Sequence, residues 1–393
     1  MKKISCVFID HVYHQKTQST KFLMDLLSQE MNVCIEWIND FSKESMQRIG
    51  EIKCDLYVVF QYDFLGAYLL AQGKKVLCVP MYDGTGLIHP AHWALLQDAL
   101  FLNYSQTLHK RHLAFGLRSI SQAYYPLIDN NQDLISYDST KVFFWERRPS
   151  SGLSVLWLAK QIASIKEPIA RVHIHLSPDP TEYSSIHPSQ LNDVFPSVAQ
   201  VTSSTWFSSK AKFLENLRQF NVYIAPRVTE GIGFSFLDAM SYGQCVVGLN
   251  YPTLNEYVDN GRNGYLQEGL HTPFPSLEPS VIAKLGMQVR EDLIVGRQRW
   301  EQEWPITMNG ILEYVFSSPS TTKYQINPTQ MAELCFYFFN DQSAYLALID
   351  KLLKTGSPRM ASKERKICSR FRKHLQYAQD PLGLGSQRKR KKN

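Results

Sequence analysis

The sequence predicts an α/β protein with two doubly wound, mostly parallel β-sheets and a helical extension at its C-terminal end. Short apolar runs alternate with segments of helical periodicity from residue 4 to 126, and the alternation resumes at residue 141. A loop with two glycines separates an apolar run at 222–225 from a helical segment at 234–242. This order is typical of sheets whose helices cover both faces. The 393 residues are too many for one ordinary core and suit two domains.

The first half of the chain is predicted to hold six strands and four main helices. The predicted strands cover residues 4–10, 33–38, 55–60, 75–80, 100–105 and 118–126. The predicted helices cover residues 21–30, 42–52, 64–71 and 108–116, with Ser42 as an N-cap and Gly73 after the third helix. The loops at 11–20, 61–63 and 81–89 should gather beyond the carboxyl ends of the strands, where ligands bind to such sheets.

The second half repeats the pattern after a polar linker at 129–140. Strands are predicted at 141–145, 170–176, 199–201, 222–225 and 245–249. Helices are predicted at 153–162, 208–219, 234–242, 277–289, 297–314, 329–339 and 340–354. The predicted domains are therefore 1–128, the linker 129–140, 141–296, a closing helix at 297–317, and a helical extension with a basic tail at 318–393.

Composition excludes several classes of protein. No apolar run approaches the ~20 residues that span a bilayer. Seven scattered cysteines without a C-x-x-C pair argue against a disulfide framework and a zinc site, and they favour a cytoplasmic location. The net charge is +6, but residues 363–393 hold eleven Lys/Arg and two acids, so the tail carries +9 and the rest 6 − 9 = −3. Residues 362–377 have the pattern of a basic amphipathic helix, and 388–392 are all basic.

The glycine loop before the helix at 234–242 has the properties of an anion site. A helix N-terminus carries unpaired N–H groups and the positive end of the helix dipole. Gly231 and Gly233 allow a ligand to approach the backbone closely. Glu230 precedes the helix and Asp238 lies about one turn into it. With a diphosphate on the helix start, one carboxylate could reach each end of the ligand and accept hydrogen bonds from sugar or ribose hydroxyls there.

Residues 223–266 resemble the donor-binding signature of the retaining family-4 glycosyltransferases (glycosyl transferases group 1), which have the GT-B fold. In that signature two acids eight positions apart flank a glycine–phenylalanine pair; here the acids are Glu230 and Asp238. The resemblance implies two Rossmann-like domains facing a cleft, with Glu230 on the donor sugar and Asp238 on the ribose. Backbone N–H groups of Gly231, Ile232, Gly233 and Phe234 would face the diphosphate or sugar. One departure is that the second acid is Asp rather than Glu.

Further site residues follow from the same resemblance. Arg147 and Arg148 lie where the family has an Arg and a Lys for the leaving phosphates, but Ser151 takes the place of the usual Lys before Gly152. A phosphate-binding role and a solvated loop are equally open for the two arginines. Asp83 follows the fourth strand and is assigned a catalytic contact with sugar or acceptor; a simple turn role is the alternative. His11 is placed on the acceptor side, with a surface role equally open.

Two pairs of histidines are candidate metal ligands. His89-x-x-His92 and His173-x-His175 lack a convincing third ligand nearby in sequence, and structural or solvated roles are favoured over a metal site. The prediction therefore includes neither a metal nor a cofactor, only a nucleotide-diphosphate sugar as co-substrate.

The function that follows is a metal-independent glycosyltransferase that acts with retention of configuration on a glycan or lipid-linked acceptor in surface polysaccharide or glycoconjugate synthesis. The tail at 362–393 is expected to meet the anionic inner face of a membrane; packing onto the body and, last, nucleic-acid binding are its alternatives. A non-catalytic GT-B-like binding or scaffold subunit is the second hypothesis for the whole chain. A phosphorylase or sugar-nucleotide epimerase is a third.

Overall fold

A computed structural model describes residues 3–128, 135–180, 182–318 and 325–355. The chain divides into two compact units, the first formed by Met1–Gln122 with Glu303–Asn393 and the second by Ala123–Gln302. Each unit is built around one six-stranded parallel sheet, so the predicted pair of doubly wound sheets is confirmed. Residues 129–134 of the predicted linker and the whole tail from 356, including the predicted helix at 362–377 and the basic run at 388–392, lie outside the described residues.

The sheet of the first unit has the strand order β2-β1-β3-β4-β5-β6. Its strands are β1 (Ile4–His11), β2 (Met31–Ile38), β3 (Leu56–Phe60), β4 (Val76–Val79), β5 (Leu100–Asn103) and β6 (Arg118–Ser121). All six strands were predicted. The order reverses between β1 and β3, and the loops after these two strands therefore flank the crevice where ligands bind to an open α/β sheet.

Seven helices connect these strands. They are α1 (Tyr13–Thr17), α2 (Lys21–Glu30), α3 (Lys43–Glu51), α4 (Asp63–Ala71), α5 (Tyr82–Thr85), α6 (Ala91–Ala94) and α7 (Gln106–Ala114). The Ser42 side chain caps α3 by accepting a hydrogen bond from the Ser45 N–H, as predicted. The loops predicted at 11–20 and 81–89 each contain a short helix, α1 and α5, because four or five residues are too few to show helical periodicity.

The sheet of the second unit has the order β12-β11-β10-β7-β8-β9. Its strands are β7 (Thr140–Glu146), β8 (Ile169–Leu176), β9 (Gln200–Ser204), β10 (Val222–Ile224), β11 (Cys245–Leu249) and β12 (Tyr265–Gln267). Its helices before the last one are α8 (Val155–Ala163), α9 (Leu191–Val194), α10 (Lys210–Leu217) and α11 (Phe234–Ser241). The order reverses between β7 and β10. Strand β12 was not predicted, since three residues carry too little pattern.

The chain then forms one long helix, α12 (Pro279–Phe316), where two helices had been predicted. The predicted break at 290–296 was wrong because that segment holds no proline, and Gly296 alone does not end a helix. Its one N-cap candidate, Asp292, instead accepts hydrogen bonds from Arg262 and Asn263. Pro305 lies inside α12, where it removes one backbone donor. Within the part of the chain that the structure covers, no helix is both long and apolar enough to cross a membrane.

The predicted helical extension is present as α13 (Pro328–Asn340) and α14 (Gln342–Thr355). Both helices belong to the core of the first unit, where Met331, Leu334 and Ile349 are buried beside residues of β1, β3 and α4. The buried His92 of α6 links α14 to α4 by hydrogen bonds to Tyr345 of α14 and Asp63 of α4. The extension is therefore an integral layer of the first unit rather than an appendage.

Candidate functional site

The candidate site lies at the carboxyl ends of β7 and β10, where the strand order of the second sheet reverses. Arg147 and Arg148 follow β7, and the loop with Arg227, Glu230 and the glycines follows β10. The two strands are paired neighbours in register, with Ile224 opposite Phe144. The sequence segments that were singled out separately thus meet at the point where doubly wound sheets bind ligands.

Gly233 sets the direction of helix α11. It occupies the N-cap position with φ 84°, a left-handed conformation that favours glycine. A Cβ on Gly233 would lie 1.9 Å from the ring of Phe236. The first N–H that bonds within the helix is that of Leu237, which donates to the Gly233 carbonyl at 3.1 Å. The N–H groups before Leu237 have no carbonyl within the helix to bond, and the N-terminus of α11 therefore suits a negatively charged ligand.

Glu230 is held rigidly at the start of this loop. Its backbone N–H donates to the carbonyl of Pro252 at 3.1 Å. Its carboxylate forms an ion pair with Arg227, at 3.1 Å between Nη1 and Oε2, and the two side chains are only 6% and 5% exposed. Sequence reasoning missed Arg227. Because removal of one partner of a buried ion pair leaves the other charge uncompensated, Arg227 fixes both the position and the charge of Glu230.

Asp238 lies on α11, eight positions after Glu230. Its carboxylate is 3.1 Å from the ammonium of Lys210, the first residue of α10. Burial raises the pKa of Asp238, and the interaction with Lys210 opposes that shift. Lys210 was also missed in the sequence, because it precedes Asp238 by 28 positions and only the fold brings the two side chains together.

Arg147 and Arg148 share one carboxylate. The Nε of Arg147 lies 2.8 Å from Oδ1 of Asp179, and the Nε of Arg148 lies 2.6 Å from Oδ2. Burial tends to raise the pKa of Asp179, but the two arginines outweigh it, so the pKa is lowered. The guanidinium of Arg147 also stacks 5.0 Å from the ring of Trp145. The two guanidinium groups beyond the end of β7 are therefore held side by side by one carboxylate.

Tyr223 marks the centre of the site. It is fully buried on β10, and burial raises the pKa of its phenol. The Ser235 hydroxyl and the charges of Glu230, Arg147 and Asp238 all act on that phenol. Charges predicted from separate motifs therefore lie near enough to act on one side chain of the second unit.

The remaining predicted donor residues lie in the loop itself. Gly231, Ile232 and Gly233 are buried, and the ring of Phe234 meets that of Tyr124 at 4.9 Å in an edge-on contact. The segment between Glu230 and the first residue of α11 therefore consists only of Gly231, Ile232 and Gly233, and no side chain in it is larger than isoleucine.

Asp83 and His11 belong to the first unit. Asp83 lies half-buried on α5 after β4, and His11 is the last residue of β1. Strand β3 stands between β1 and β4 in the sheet, so the two residues do not follow neighbouring strands.

The four histidines that were weighed as metal ligands have other partners. His92 bonds Asp63 and Tyr345, and the ring nitrogen Nδ1 of His89 accepts from the Ala91 N–H at 3.1 Å. His173 and His175 both bond the hydroxyl of Ser204. Among the residues that the structure describes, no three His, Cys, Asp or Glu side chains converge as a ligand set.

Asp179, Arg227, Lys210 and Tyr223 are the site residues that sequence reasoning did not find. Asp179 offered a signal, since it is an acid three positions after the end of β8, the strand that neighbours β7. Arg227 lies in the glycine loop itself and could have been found there. Lys210 and Tyr223 give no comparable signal in the sequence.

Residues 147–272 match the model of a protein family described as Glycosyl transferases group 1. This segment begins at the arginine pair and contains every residue of the candidate site in the second unit that is named above. No curated protein matches the chain.

Solved structures with the same fold include several glycosyltransferases. The chain is similar to the lipopolysaccharide outer core galactosyltransferase WaaB in its apo form, with a TM-score of 0.53 and 12% identity over 79% of this chain and 99% of that one. It is similar to sucrose-phosphate synthase from Thermosynechococcus elongatus, with a TM-score of 0.55 and 12% identity over 80% and 99% of the two chains.

A third neighbour was solved with ligands. Anabaena HepE in complex with UDP and glucose has a TM-score of 0.53 and 14% identity over 78% of this chain and 100% of that one. At such identities the three likenesses show the fold, which confirms the predicted GT-B class. The segment that carries the candidate site is the segment that matches the group 1 glycosyl transferases, and the comparisons therefore support a glycosyltransferase of that group.

Proposed function

We propose that the chain transfers a sugar from a nucleotide-diphosphate sugar to a glycan or lipid-linked acceptor, with retention of configuration. The observation that carries the proposal is the placement of Glu230 and Asp238 on either side of the α11 N-terminus, with the arginine pair on the adjoining strand end. The match of residues 147–272 to the group 1 family supports it. The bound nucleotide and sugar of HepE indicate the ligand class.

Each residue has a distinct role in this proposal. Glu230 accepts hydrogen bonds from hydroxyls of the donor sugar, and Asp238 accepts them from the ribose. The N–H groups of Gly231 to Phe234 and the guanidinium groups of Arg147 and Arg148 bind the diphosphate and stabilise the charge that develops as it leaves. Asp83 and His11 serve the sugar and the acceptor from the first unit.

The reaction forms a bond between an acceptor oxygen and the anomeric carbon and breaks the bond from that carbon to the diphosphate oxygen. The electron pair leaves with the diphosphate, and the acceptor proton passes to the departing phosphate on the same face. This proton path gives retention and requires no protein base, cofactor or metal, since the arginines balance the phosphate charge.

Nucleotide binding is the first test. The purified protein is heated with UDP, GDP, ADP or CMP and their common sugars, without added metal, and the melting temperature is followed. A ligand at 100 times its dissociation constant adds about 2.7 kcal/mol to the free energy of unfolding. We expect one diphosphate to raise the melting temperature, while absence of a shift with every nucleotide would contradict the donor site.

Glu230→Gln is the variant that tests catalysis. Glutamine keeps the shape of the side chain, whereas Glu230→Ala would leave Arg227 buried without its partner and lower stability by several kcal/mol. We expect transfer to fall at least 100-fold. The melting temperature should also fall, because the neutral amide no longer compensates the buried Arg227 charge, so unchanged binding of the nucleoside diphosphate at the assay temperature serves as the evidence that the variant is folded. Glu291→Gln, at an exposed glutamate of α12, is the matched control. Full turnover in Glu230→Gln would refute the assignment.

A GT-B-like scaffold subunit is the second candidate, and the Asp at position 238 and the Ser at 151 are what favour it. The two candidates differ in turnover. Tight binding of a nucleotide sugar without transfer or hydrolysis, on a broad panel of glycan and lipid-linked acceptors, would support the scaffold.

The proposal places the enzyme in surface polysaccharide or glycoconjugate synthesis in the cytoplasm, at the inner face of a membrane. The support is the charge of +9 in residues 363–393. The chain that ends at residue 355 should lose binding to vesicles of phosphatidylserine and phosphatidylcholine and retain nucleotide binding. Equal vesicle binding by both chains would remove this role from the tail.

A further inference from the structure

The end of strand β1 contains a polar cluster that the donor site does not use. Asp10 is completely buried there, and its carboxylate accepts three hydrogen bonds. The donors are the backbone N–H of His11 at 2.8 Å, the hydroxyl of Thr20 at 2.7 Å, and Nδ1 of His14 at 2.6 Å. A buried carboxylate with this many donors is a fixed anchor, and it orients the ring of His14 and the backbone of His11.

The partners of the two rings determine which nitrogen carries the proton in each neutral histidine. His14 donates its Nδ1–H to the Asp10 carboxylate, so its Nε2 holds a lone pair. His11 accepts the N–H of Tyr13 at its Nδ1, at 3.1 Å, so its Nε2 carries the proton. The described residues provide no hydrogen bond to either Nε2. One histidine therefore offers a donor and its neighbour offers an acceptor.

This pair lies where the first sheet is expected to bind a ligand. The strand order reverses between β1 and β3, and the histidines follow β1 while Tyr62 follows β3. The ring of Tyr62 is 6.1 Å from that of His11, and the ring of Phe60 is 5.7 Å from that of His14. Aromatic rings from β3 and from the residue two positions after it thus lie beside the two histidines.

We propose that His11 and His14 together bind a hydroxyl group of the acceptor sugar, His11 Nε2–H donating to its oxygen and His14 Nε2 accepting its proton. The inference rests on the proposed function and deepens it. A hydroxyl both donates and accepts one hydrogen bond, and the pair presents the complement of that pattern. The bound hydroxyl is not the one that attacks, because the proton of the attacking hydroxyl passes to the leaving phosphate.

Charge also favours a neutral ligand at this position. Burial is the main cause that lowers the pKa of His11, and His14 adds to it while Asp10 opposes it. The buried Asp10 carboxylate beside the two rings disfavours phosphate and carboxylate groups, which carry the same charge. The sugar of the acceptor, rather than a lipid-linked diphosphate, is the part that fits.

Asparagine variants separate the two nitrogens of each ring. An asparagine side chain reaches about as far as Nδ1, so His14→Asn keeps a donor to Asp10 and loses Nε2, and His11→Asn keeps an acceptor for the Tyr13 N–H and loses Nε2. With a panel of octyl glycosides as acceptors, we expect each variant to raise the acceptor KM about tenfold, the worth of one hydrogen bond. The kcat and the Kd of the nucleoside diphosphate should stay unchanged.

A measurement without turnover completes the test. Nitrogen-15 NMR of the histidine-labelled full chain should show opposite tautomers for His11 and His14, and methyl glycosides should shift the Nε2 resonances of both rings. Identical tautomers, or no shift with any glycoside while the nucleotide still binds, would overturn the pair. A large fall in kcat with an unchanged KM would make His14 a proton acceptor and would also overturn it. Failure of nucleotide binding would instead contradict the proposed function itself.

Discussion

At the scale of single residues, the shared carboxylate of Asp179 is the most informative contact of the proposed donor site. It accepts hydrogen bonds from the Nε atoms of Arg147 and Arg148, which leaves the terminal Nη atoms of both guanidinium groups for other partners. Preorganised cations lose little freedom when a diphosphate arrives, and their charge-assisted bonds are stronger than neutral ones.

We expect Arg147→Ala and Arg148→Ala each to weaken binding of the cognate nucleoside diphosphate about tenfold, and the double variant about 100-fold. Each lost bond to a charged group is worth roughly 1.5–3 kcal/mol. Isothermal titration calorimetry measures the dissociation constant of the nucleoside diphosphate for each variant. Arg262→Ala is the matched control, because Arg262 also binds two carboxylates, those of Asp259 and Asp292, but belongs to another turn of the second unit. Unchanged affinity in Arg147→Ala, in Arg148→Ala and in the double variant would exclude the phosphate role.

Several site residues were predictable because their spacing along the chain carries the information. Glu230 and Asp238 are eight positions apart across one loop and one helix, and Gly233 stands between them. Their partners were less accessible, since Lys210 reaches Asp238 only through the packing of α10 beside α11. A sequence shows which residues a motif contains, whereas the charges that surround it come from neighbouring elements.

At the scale of elements, helix α11 depends on Gly233 in two ways. A side chain at this position must adopt φ 84°, and its Cβ must also displace the ring of Phe236. Gly261 has φ 78° and no atom within 4 Å of an added Cβ. A side chain at Gly261 would therefore have to adopt the left-handed conformation but would displace no neighbour.

The two glycines therefore make a matched pair for substitution. We expect Gly261→Ala to lower the free energy of unfolding by about 1–2 kcal/mol, the cost of the left-handed conformation. Gly233→Ala should lower it by about 3 kcal/mol or more, because overpacking adds to that cost. Urea unfolding measures the difference. Equal losses at both positions would mean that the Phe236 ring moves aside freely.

Strand β8 makes the second unit sensitive to acid. Burial lowers the pKa of His173 to about 3 and that of His175 to about 4. Since an unfolded histidine titrates near 6.5, the unfolded state binds more protons below that pH, and stability falls as the pH drops from about 6.5 towards the folded pKa values. Above about pH 7 these residues should cause no pH dependence.

Each of the two histidines should contribute a slope of up to about 1.4 kcal/mol per pH unit between pH 6 and pH 4.5. His175→Phe should reduce the slope by that amount, because phenylalanine keeps the packing against Phe207 and Trp145 but cannot take up a proton. Urea unfolding at several pH values measures the slope. His271→Gln, at an exposed position, should leave the slope as it is; an unaltered slope in His175→Phe would contradict the prediction.

The accuracy of the predicted elements follows their length and burial. Strand β11 and helix α2 agree with the predicted ranges because both carry strong apolar patterns and clear flanking residues. Helices α1, α5 and α6 were missed since they contain only four or five residues each. The break predicted within α12 shows the opposite error, in which a weak apolar pattern was taken for the end of a helix.

At the scale of the whole molecule, helices α13 and α14 complete the core of the first unit. We expect a chain that ends at residue 355 to keep the cooperative unfolding of the first unit, whereas a chain that ends at residue 318 should lose it. The reason is that Ile326, Leu334 and Ile349 would no longer cover α3, α4 and α6. Scanning calorimetry distinguishes the two outcomes, and cooperative melting of the shorter chain would contradict this account.

The fold class was readable from the alternation of strands and helices, but the order of the strands was not. Both sheets are parallel and doubly wound, yet the first reverses between β1 and β3 and the second between β7 and β10. Which strands become neighbours depends on helix crossovers that have no local signature. From the sequence alone, only the family resemblance indicated that the arginine pair lies close to the glycine loop. The structure shows both at the point where the strand order of the second sheet reverses.

The second unit is a single continuous segment, while the first is assembled from segments on both sides of it. During synthesis the ribosome releases strands β1 to β6 first, but their core stays open until α13 and α14 emerge, after the whole second unit has been made. The second unit can fold as soon as it leaves the exit tunnel. The nascent first sheet must meanwhile wait with exposed apolar surface, and we expect it to be the part of the chain that chaperones bind.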